Sequence, residues 1–239
     1  MILYGRNAVR EALRGRRARS IGEVWATQST ARESWLTGVR VQTSSAADIE
    51  RRCGSPAHQG VCAQAGGYPY VSAEELLVGC EPLVVALDEV QDPQNLGSIA
   101  RTAECTGASG VAIPQRRAAE VTPAACKASA GALEHLRVAR VRNLADFLGQ
   151  AKEAGCWCYG ASAEAVAKHT PISYDTPDYR GAGVVLVLGS EGRGLRPRVA
   201  GACDELIALP LHGRVGSLGV SAAAAAVLYE ILQNRDRAP

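Results

Sequence analysis

Apolar runs without polar alternation punctuate the later part of the chain: Leu83–Leu87, Gly110–Ile113, Cys156–Tyr159, Val184–Leu188 and Glu205–Leu209. Strands buried on both faces read this way, so the runs predict a parallel sheet covered by helices. Helices are expected over Gly97–Thr106, Asn143–Ala154 and Ser217–Asn234. The earlier part has a different texture. Asn7–Arg14 places Val9 and Leu13 on one helical face and stops at Gly15. Ile21–Ala26 then reads as a strand, Ala31–Leu36 as a helix, Val39–Val41 as a strand, Asp48–Cys53 as a helix and Gly60–Ala63 as a strand. That alternation predicts a small α/β/α sandwich. Gly66-Gly-Tyr-Pro-Tyr70 breaks the pattern as a connector does, and Ser72 with Glu75 is a capping-box signature for a brief helix in the bridge. The division expected is residues 1–68, a linker at 69–81 and a second domain at 82–239.

Composition narrows the class without naming a function. With 47% hydrophobic and 21% charged residues in 239, the chain has the balance of an ordinary globular protein and ample length for a core. A net charge of +2 does not announce a nucleic-acid binder. Its distribution says more: Arg6, Arg10, Arg14, Arg16, Arg17 and Arg19 face only Glu11 in the first stretch. Such a cluster either holds phosphates or is a solvated basic surface. The eight cysteines contain no C-x-x-C pair and no His at a zinc-ligand spacing, so buried structural thiols are expected and no metal. The start lacks a charged-then-apolar leader and no apolar run reaches the roughly 20 residues that span a bilayer, which predicts a cytoplasmic protein. The small residues of Ala222–Ala226 permit close approach of another backbone, in a dimer or in the helix's own sheet.

Chemistry concentrates in three segments: Leu87-Asp-Glu-Val-Gln-Asp-Pro-Gln-Asn-Leu-Gly-Ser-Ile-Ala-Arg101, Val184-Val-Leu-Val-Leu-Gly-Ser-Glu-Gly-Arg-Gly-Leu195 and Leu209-Pro-Leu-His-Gly-Arg-Val-Gly-Ser-Leu-Gly-Val-Ser-Ala222. Each is an apolar run ending in a loop of Gly, Asn, Ser and a charged residue, which lets backbone approach a ligand closely. In an open parallel sheet such strand ends deliver polar groups to one crevice. The glycines of the second segment run G-x-x-G-x-G, which matches neither the dinucleotide fingerprint nor the P-loop. In their order and wording the three segments resemble the SpoU/TrmH family of RNA ribose 2′-O-methyltransferases, in the SPOUT superfamily. Gly5-Arg-Asn-Ala-Val-Arg-Glu-Ala-Leu13 and Ala57-His-Gln-Gly-Val61 resemble that family's RNA-binding domain, related to ribosomal proteins. Lys127-Ala-Ser-Ala-Gly-Ala-Leu-Glu-His-Leu136 and Val141-Arg-Asn-Leu144 resemble the branch acting on a guanosine of 23S large-subunit ribosomal RNA.

The resemblance implies a SPOUT-type parallel sheet with a C-terminal trefoil knot, behind a small α/β/α RNA-binding domain. It further implies S-adenosylmethionine as donor, ribosomal RNA as partner and a homodimer, while the lack of a bilayer-spanning apolar run predicts no membrane partner. Matched residue by residue, it gives Asn95, Arg101, Glu191 and Ser217 as the catalytic set, with Arg101 in the helix after the Asn95 loop so that both face one crevice. Gly189, Leu209 and Leu218 align with donor-contacting positions, Gly192 bounds the loop whose backbone can bind the donor, and Leu211 adds to the apolar seat for its adenine. Arg6, Arg10, His58, Gln59 and Arg214 are the RNA-binding candidates. One position departs: the family reads Ser-Leu-Asn-Val-Ser where this chain has Ser217-Leu-Gly-Val-Ser221, so Gly219 lacks the amide that organises donor or ribose. Two other functions share the fold. A non-catalytic ribosomal-RNA assembly factor has no need to bind S-adenosylmethionine, and a transfer-RNA 2′-O-methyltransferase differs only in substrate.

Overall fold

The computed structural model describes residues 1–167 and 169–237. Its first elements are β1 (Ile2–Tyr4), α1 (Arg6–Ala12), β2 (Ile21–Ala26), β3 (Val41–Thr43), α2 (Ala46–Cys53) and β4 (Val61–Ala65). They make a four-stranded sheet in the order β1-β4-β2-β3, in which only β2 and β3 run parallel. One face packs Leu3, Val24 and Ala63 with Val9 and Ala12 of α1; the other packs Trp25 and Cys62 on Ile49 of α2. The Ser45 hydroxyl accepts the Asp48 N–H at 3.1 Å and Gly54 closes α2 at φ 67, so this helix has a cap at each end.

Two expectations shift here. Ala31–Leu36 is a pair of 3₁₀ turns, Thr30–Arg32 and Ser34–Leu36, with Glu33 extended between them. Glu33 accepts from Trp35 Nε1 at 2.6 Å and pairs with Arg6 at 3.0 Å, and those partners outweigh a helix too short to sustain itself. The third strand lies at Val41–Thr43 rather than Val39–Val41, set by the Trp25 Nε1 bond to Gln42 Oε1 at 3.0 Å.

The bridge is docked at Val71 and Leu76. The Val71 N–H donates to Val138 O at 3.0 Å, and Leu76 is fully buried in the core under the second sheet. Beyond it come β5 (Leu83–Asp88), α3 (Pro93–Cys105), β6 (Gly110–Pro114), α4 (Pro123–Ala128), β7 (Arg137–Val141), α5 (Leu144–Glu153), β8 (Cys156–Ala161), β9 (Ile172–Ser173), β10 (Gly183–Gly189), α6 (Pro197–Ala200), β11 (Glu205–Ala208) and α7 (Val220–Asp236). The seven strands are all parallel, in the order β7-β6-β5-β10-β8-β11-β9. Both faces are covered, as the unalternating runs require. Val85, Leu87, Leu186 and Leu188 pack under α3 and α7, while Val84, Ala86, Val185 and Val187 pack under α5 and α6. Cys156 and Cys158 share the second face, and all eight cysteines are free thiols.

The two sheets are joined by one continuous core that runs from Leu3 and Val9 through Cys126 and Leu133 to Ile99. Buried in the seam, Arg17 Nε donates to Glu134 Oε2 at 2.8 Å while its second nitrogen pairs with Oε1, and its guanidinium lies 5.3 Å from the Tyr68 ring centroid. Arg17 is therefore part of the interior and not of an exposed basic patch. Among the described residues no helix is long and apolar enough to cross a membrane.

Candidate functional site

Chain order reverses at β5: β6 and β7 lie to one side of it, β10 and β8 to the other. A parallel sheet has its natural crevice at such a switch point, outside the carboxyl ends of the strands. Two adjoining hollows occupy that place. The larger, about 610 Å³, is bounded by Ser162–Glu164 after β8, Gly189–Leu195 after β10, and Leu209, Leu211 and Gly216–Val220 after β11. The smaller, about 380 Å³, lies between the loop after β5 (Glu89–Asp92), Asn95 and the β10 loop. Ser190, Glu191, Arg193 and Val220 line both.

The β10 loop is the partition between the hollows, and several bonds fix it. Ser190 and Gly194 exchange backbone hydrogen bonds of 3.2 and 2.9 Å, and a Cβ on Gly189 would fall 2.2 Å from the Gly194 carbonyl carbon. No other residue permits that approach. Asp88, fully buried at the end of β5, accepts the Arg196 N–H at 2.8 Å and its Nε at 2.7 Å. That carboxylate raises the Arg196 guanidinium pKa further and anchors the loop's far end. Asn95 Nδ2 donates to Glu191 Oε1 at 3.1 Å, tying α3 to the tip of the loop.

The structure places the candidates unequally. Gly189, Gly192, Leu209, Leu211, Leu218, Glu191 and Ser217 all line the larger hollow, and Asn95 joins Glu191 in the smaller one. Arg101 lines neither, is exposed, and has no polar partner among the described residues. The cause is helical phase. Asp92 caps α3, its carboxylate accepting the Gln94 N–H, so Asn95 sits within the first turn rather than on a preceding loop. Six residues further on, Arg101 is rotated by about 120°. Arg214 is exposed and outside both hollows.

In the smaller sheet Arg6 donates through its backbone N–H to Gln59 Oε1 at 3.1 Å, and Arg10 pairs with Glu11 at 2.8 Å. His58 is 8% exposed, and its Nδ1 accepts the Gly60 N–H at 2.9 Å, so it shapes the turn that presents Gln59. Gly219 has φ 85 and ψ 141 at the start of α7, with nothing within 4 Å of an added Cβ. Sequence reading passed over Arg193, among the described residues the sole basic side chain lining either hollow. It also passed over Glu89, at φ 59 with its Oε1 buried between Arg196 at 3.5 Å and Arg117 at 3.6 Å. Only spatial neighbours distinguish these two from ordinary surface charges.

Comparison with known proteins identifies the family. Residues 82–229 match the model of the SpoU rRNA Methylase family, and residues 2–71 match that for RNA 2′-O ribose methyltransferase substrate binding. The chain belongs to the SpoU methylase family. A Bacillus subtilis protein whose name assigns it to the TrmH family of tRNA/rRNA methyltransferases is 37% identical over 247 residues, covering 98% of this chain and 96% of its own. Among solved structures, the AdoMet-bound rRNA methyltransferase of Sinorhizobium meliloti superposes with a TM-score of 0.80 at 26% identity, over 97% of this chain and 86% of that one. The SpoU methyltransferase AviRb of Streptomyces viridochromogenes shares the fold, with a TM-score of 0.79 at 22% identity over 98% and 89% of the two chains. This SpoU methylase thus carries both a substrate-binding and a catalytic match.

Proposed function

We propose that this methylase transfers a methyl group from S-adenosylmethionine to a ribose 2′-hydroxyl of 23S ribosomal RNA, at a guanosine. The observation that carries the reading is the shared partition: two hollows, one large and largely apolar, one small and polar, meet at Glu191, which Asn95 holds. The larger hollow fits the donor in size and lining. Its volume lies within the usual range for small-molecule pockets, with Leu209, Leu211 and Leu218 available to an adenine ring and the backbone of Gly189 and Gly192 to polar edges. S-adenosylmethionine supplies an electrophilic methyl group when bound.

The chain's own residues prepare the acceptor. Asn95 engages Glu191 Oε1 and leaves Oε2 able to accept from the ribose hydroxyl, which orients that oxygen toward the partition. Ser217, a lining residue of the larger hollow, contributes its hydroxyl to the donor side of the reaction in this reading. Arg101 stays protonated at any ordinary pH, so its part is to fix a phosphate and stabilise negative charge as the proton leaves, not to act as a base. Projecting from the outer side of α3, it serves this role in a homodimer, at the partner's site. Arg6, Arg10, His58, Gln59 and Arg214 belong to the RNA-facing surface in this reading, with His58 acting through the Gln59 turn.

The domain division at 69–81, the trefoil knot and a cytoplasmic setting complete the proposal. Support for the knot comes from β10 lying between β5 and β8 while the segment after β11 returns to the β10 loop to close one cavity. The test is to incubate the protein with unmodified ribosomal RNA and labelled donor, then map ribose methylation. A methylated guanosine in 23S RNA is expected. No transfer by folded, donor-bound protein overturns the proposal in favour of an assembly factor, and methylation of transfer RNA alone reassigns the substrate.

A further inference from the structure

The polar hollow needs a cation, because its walls carry Glu89, Asp92 and Glu191 and an RNA acceptor brings phosphates. Arg101 does not reach it within one chain. Arg193 does: it lies at the tip of the β10 loop, lines both hollows and has no hydrogen bond or ion pair among the described residues. Its position is fixed by the backbone pairing of Ser190 with Gly194 and by the Asn95 bond to Glu191 two residues earlier. Outside the hollow and next to its wall residue Glu89, the loop after β6 carries Arg117, 77% exposed, with Nη1 3.6 Å from Glu89 Oε1. The Ala119 N–H donates to Val90 O at 2.8 Å and holds that loop against the wall. The acidic groups are already engaged: Glu89 lies between Arg117 and Arg196, Asp92 caps α3, and Glu191 is bound to Asn95. One exposed guanidinium therefore lines the hollow and a second lies beyond its Glu89 wall, and each offers the planar fork that suits phosphodiesters.

We propose that Arg193 and Arg117 of a single chain form a two-point grip on the RNA backbone across the polar hollow, Arg193 on the phosphate beside the target ribose and Arg117 on a neighbouring one. The inference rests on the RNA-methylation reading and adds residues which that reading leaves idle. Each phosphate gripped releases bound counterions, so each contact adds about 0.7 to the slope of log affinity against log salt for single-stranded RNA.

The test measures ribosomal-RNA binding over a salt series, the KM for RNA, and S-adenosylmethionine affinity by calorimetry, for Arg193→Ala, Arg193→Gln, Arg193→Lys, Arg117→Ala and the double alanine variant. Each neutral variant is expected to flatten the slope by about 0.7, the double variant by about twice that, and to raise the KM for RNA about tenfold. S-adenosylmethionine affinity stays within about twofold, and Arg193→Lys keeps the slope. Unchanged slopes in both single variants overturn the grip. So does weakened donor binding by Arg193→Ala with an unaltered slope, which would assign Arg193 to the donor's carboxylate. A wild-type protein that methylates no RNA, while the variants still flatten the slope, removes the methylation reading and leaves the grip.

Discussion

Asn95 and Glu191 stand 96 positions apart in the chain, yet the Asn95 amide donates a 3.1 Å hydrogen bond to the Glu191 carboxylate. The bond joins the first turn of α3 to the partition between the hollows, so it sets where the carboxylate points. Asn95→Ala is expected to lower the single-turnover rate of methyl transfer by about 10²-fold, as loss of one preorganised donor does. Donor affinity changes far less, because Asn95 lies outside the larger hollow. An unaltered rate would show that the bond is structural only.

The outward direction of Arg101 makes a prediction about subunits. If it acts at the partner's site, Arg101→Ala and Glu191→Gln chains, each inactive alone, recover activity when denatured together and refolded. Random pairing makes half the dimers mixed, each with one whole site, and so about a quarter of the wild-type rate. Zero recovery in verified mixed dimers would place Arg101 in its own chain's chemistry or outside the reaction.

What the sequence made legible follows from how local each signal is. Leu83–Asp88 and Gly183–Gly189 announce buried strands by themselves, because burial on both faces removes alternation. Arg137–Val141 escaped, being an edge strand whose two arginines interrupt a short apolar pattern, and β1 is only three residues long. The motif loops were legible as a group, since a parallel sheet collects strand ends. Arg101 was not, because its direction depends on α3 starting at Pro93 rather than after Asn95. Arg17 read as one more surface arginine; its partner lies 117 residues away.

That buried pair predicts how the protein unfolds. Arg17 and Glu134 are 2% and 1% exposed, so removing one partner strands a charge in the seam between the sheets. Arg17→Met should cost about 3–5 kcal/mol in urea unfolding, and Arg17→Met with Glu134→Leu should recover much of it. Because the core is continuous, loss of both sheets in one transition is expected. Two separated transitions in the wild type would contradict that coupling.

The thiols give a pH dependence. Burial pushes Cys62 up to about 11, and Cys126 and Cys203 up to about 12. A thiol in the unfolded chain ionises near ~8.5, so the folded chain holds these protons more tightly. Their contribution is whole below about pH 8.5 and is lost as pH rises through 11 to 12. Urea midpoints should therefore fall on the alkaline side, less so in Cys126→Ala after allowance for its lost packing. At pH 8 a thiol reagent should modify the exposed Cys80 and Cys105 first, and rapid labelling of Cys126 in folded protein would refute its burial.

Gly219 is where backbone conformation and family pattern pull apart. The family's Asn has open space there, since nothing lies within 4 Å of an added Cβ, and on room alone Gly219→Asn should restore a useful amide. The backbone disagrees: φ 85 with ψ 141 is outside even the left-handed helical region that Asn tolerates. Asn must either hold a conformation costing about 1–3 kcal/mol or turn the start of α7, moving Leu218 and Val220 in the wall of the larger hollow. Gly219→Asn is therefore expected to lower thermal stability and weaken S-adenosylmethionine binding, with Gly219→Ala doing the same without any amide. A Gly219→Asn protein that is more stable and binds donor more tightly would show that the loop relaxes into the family's conformation without penalty. In that case glycine at 219 would be a tolerated loss rather than the residue this loop requires.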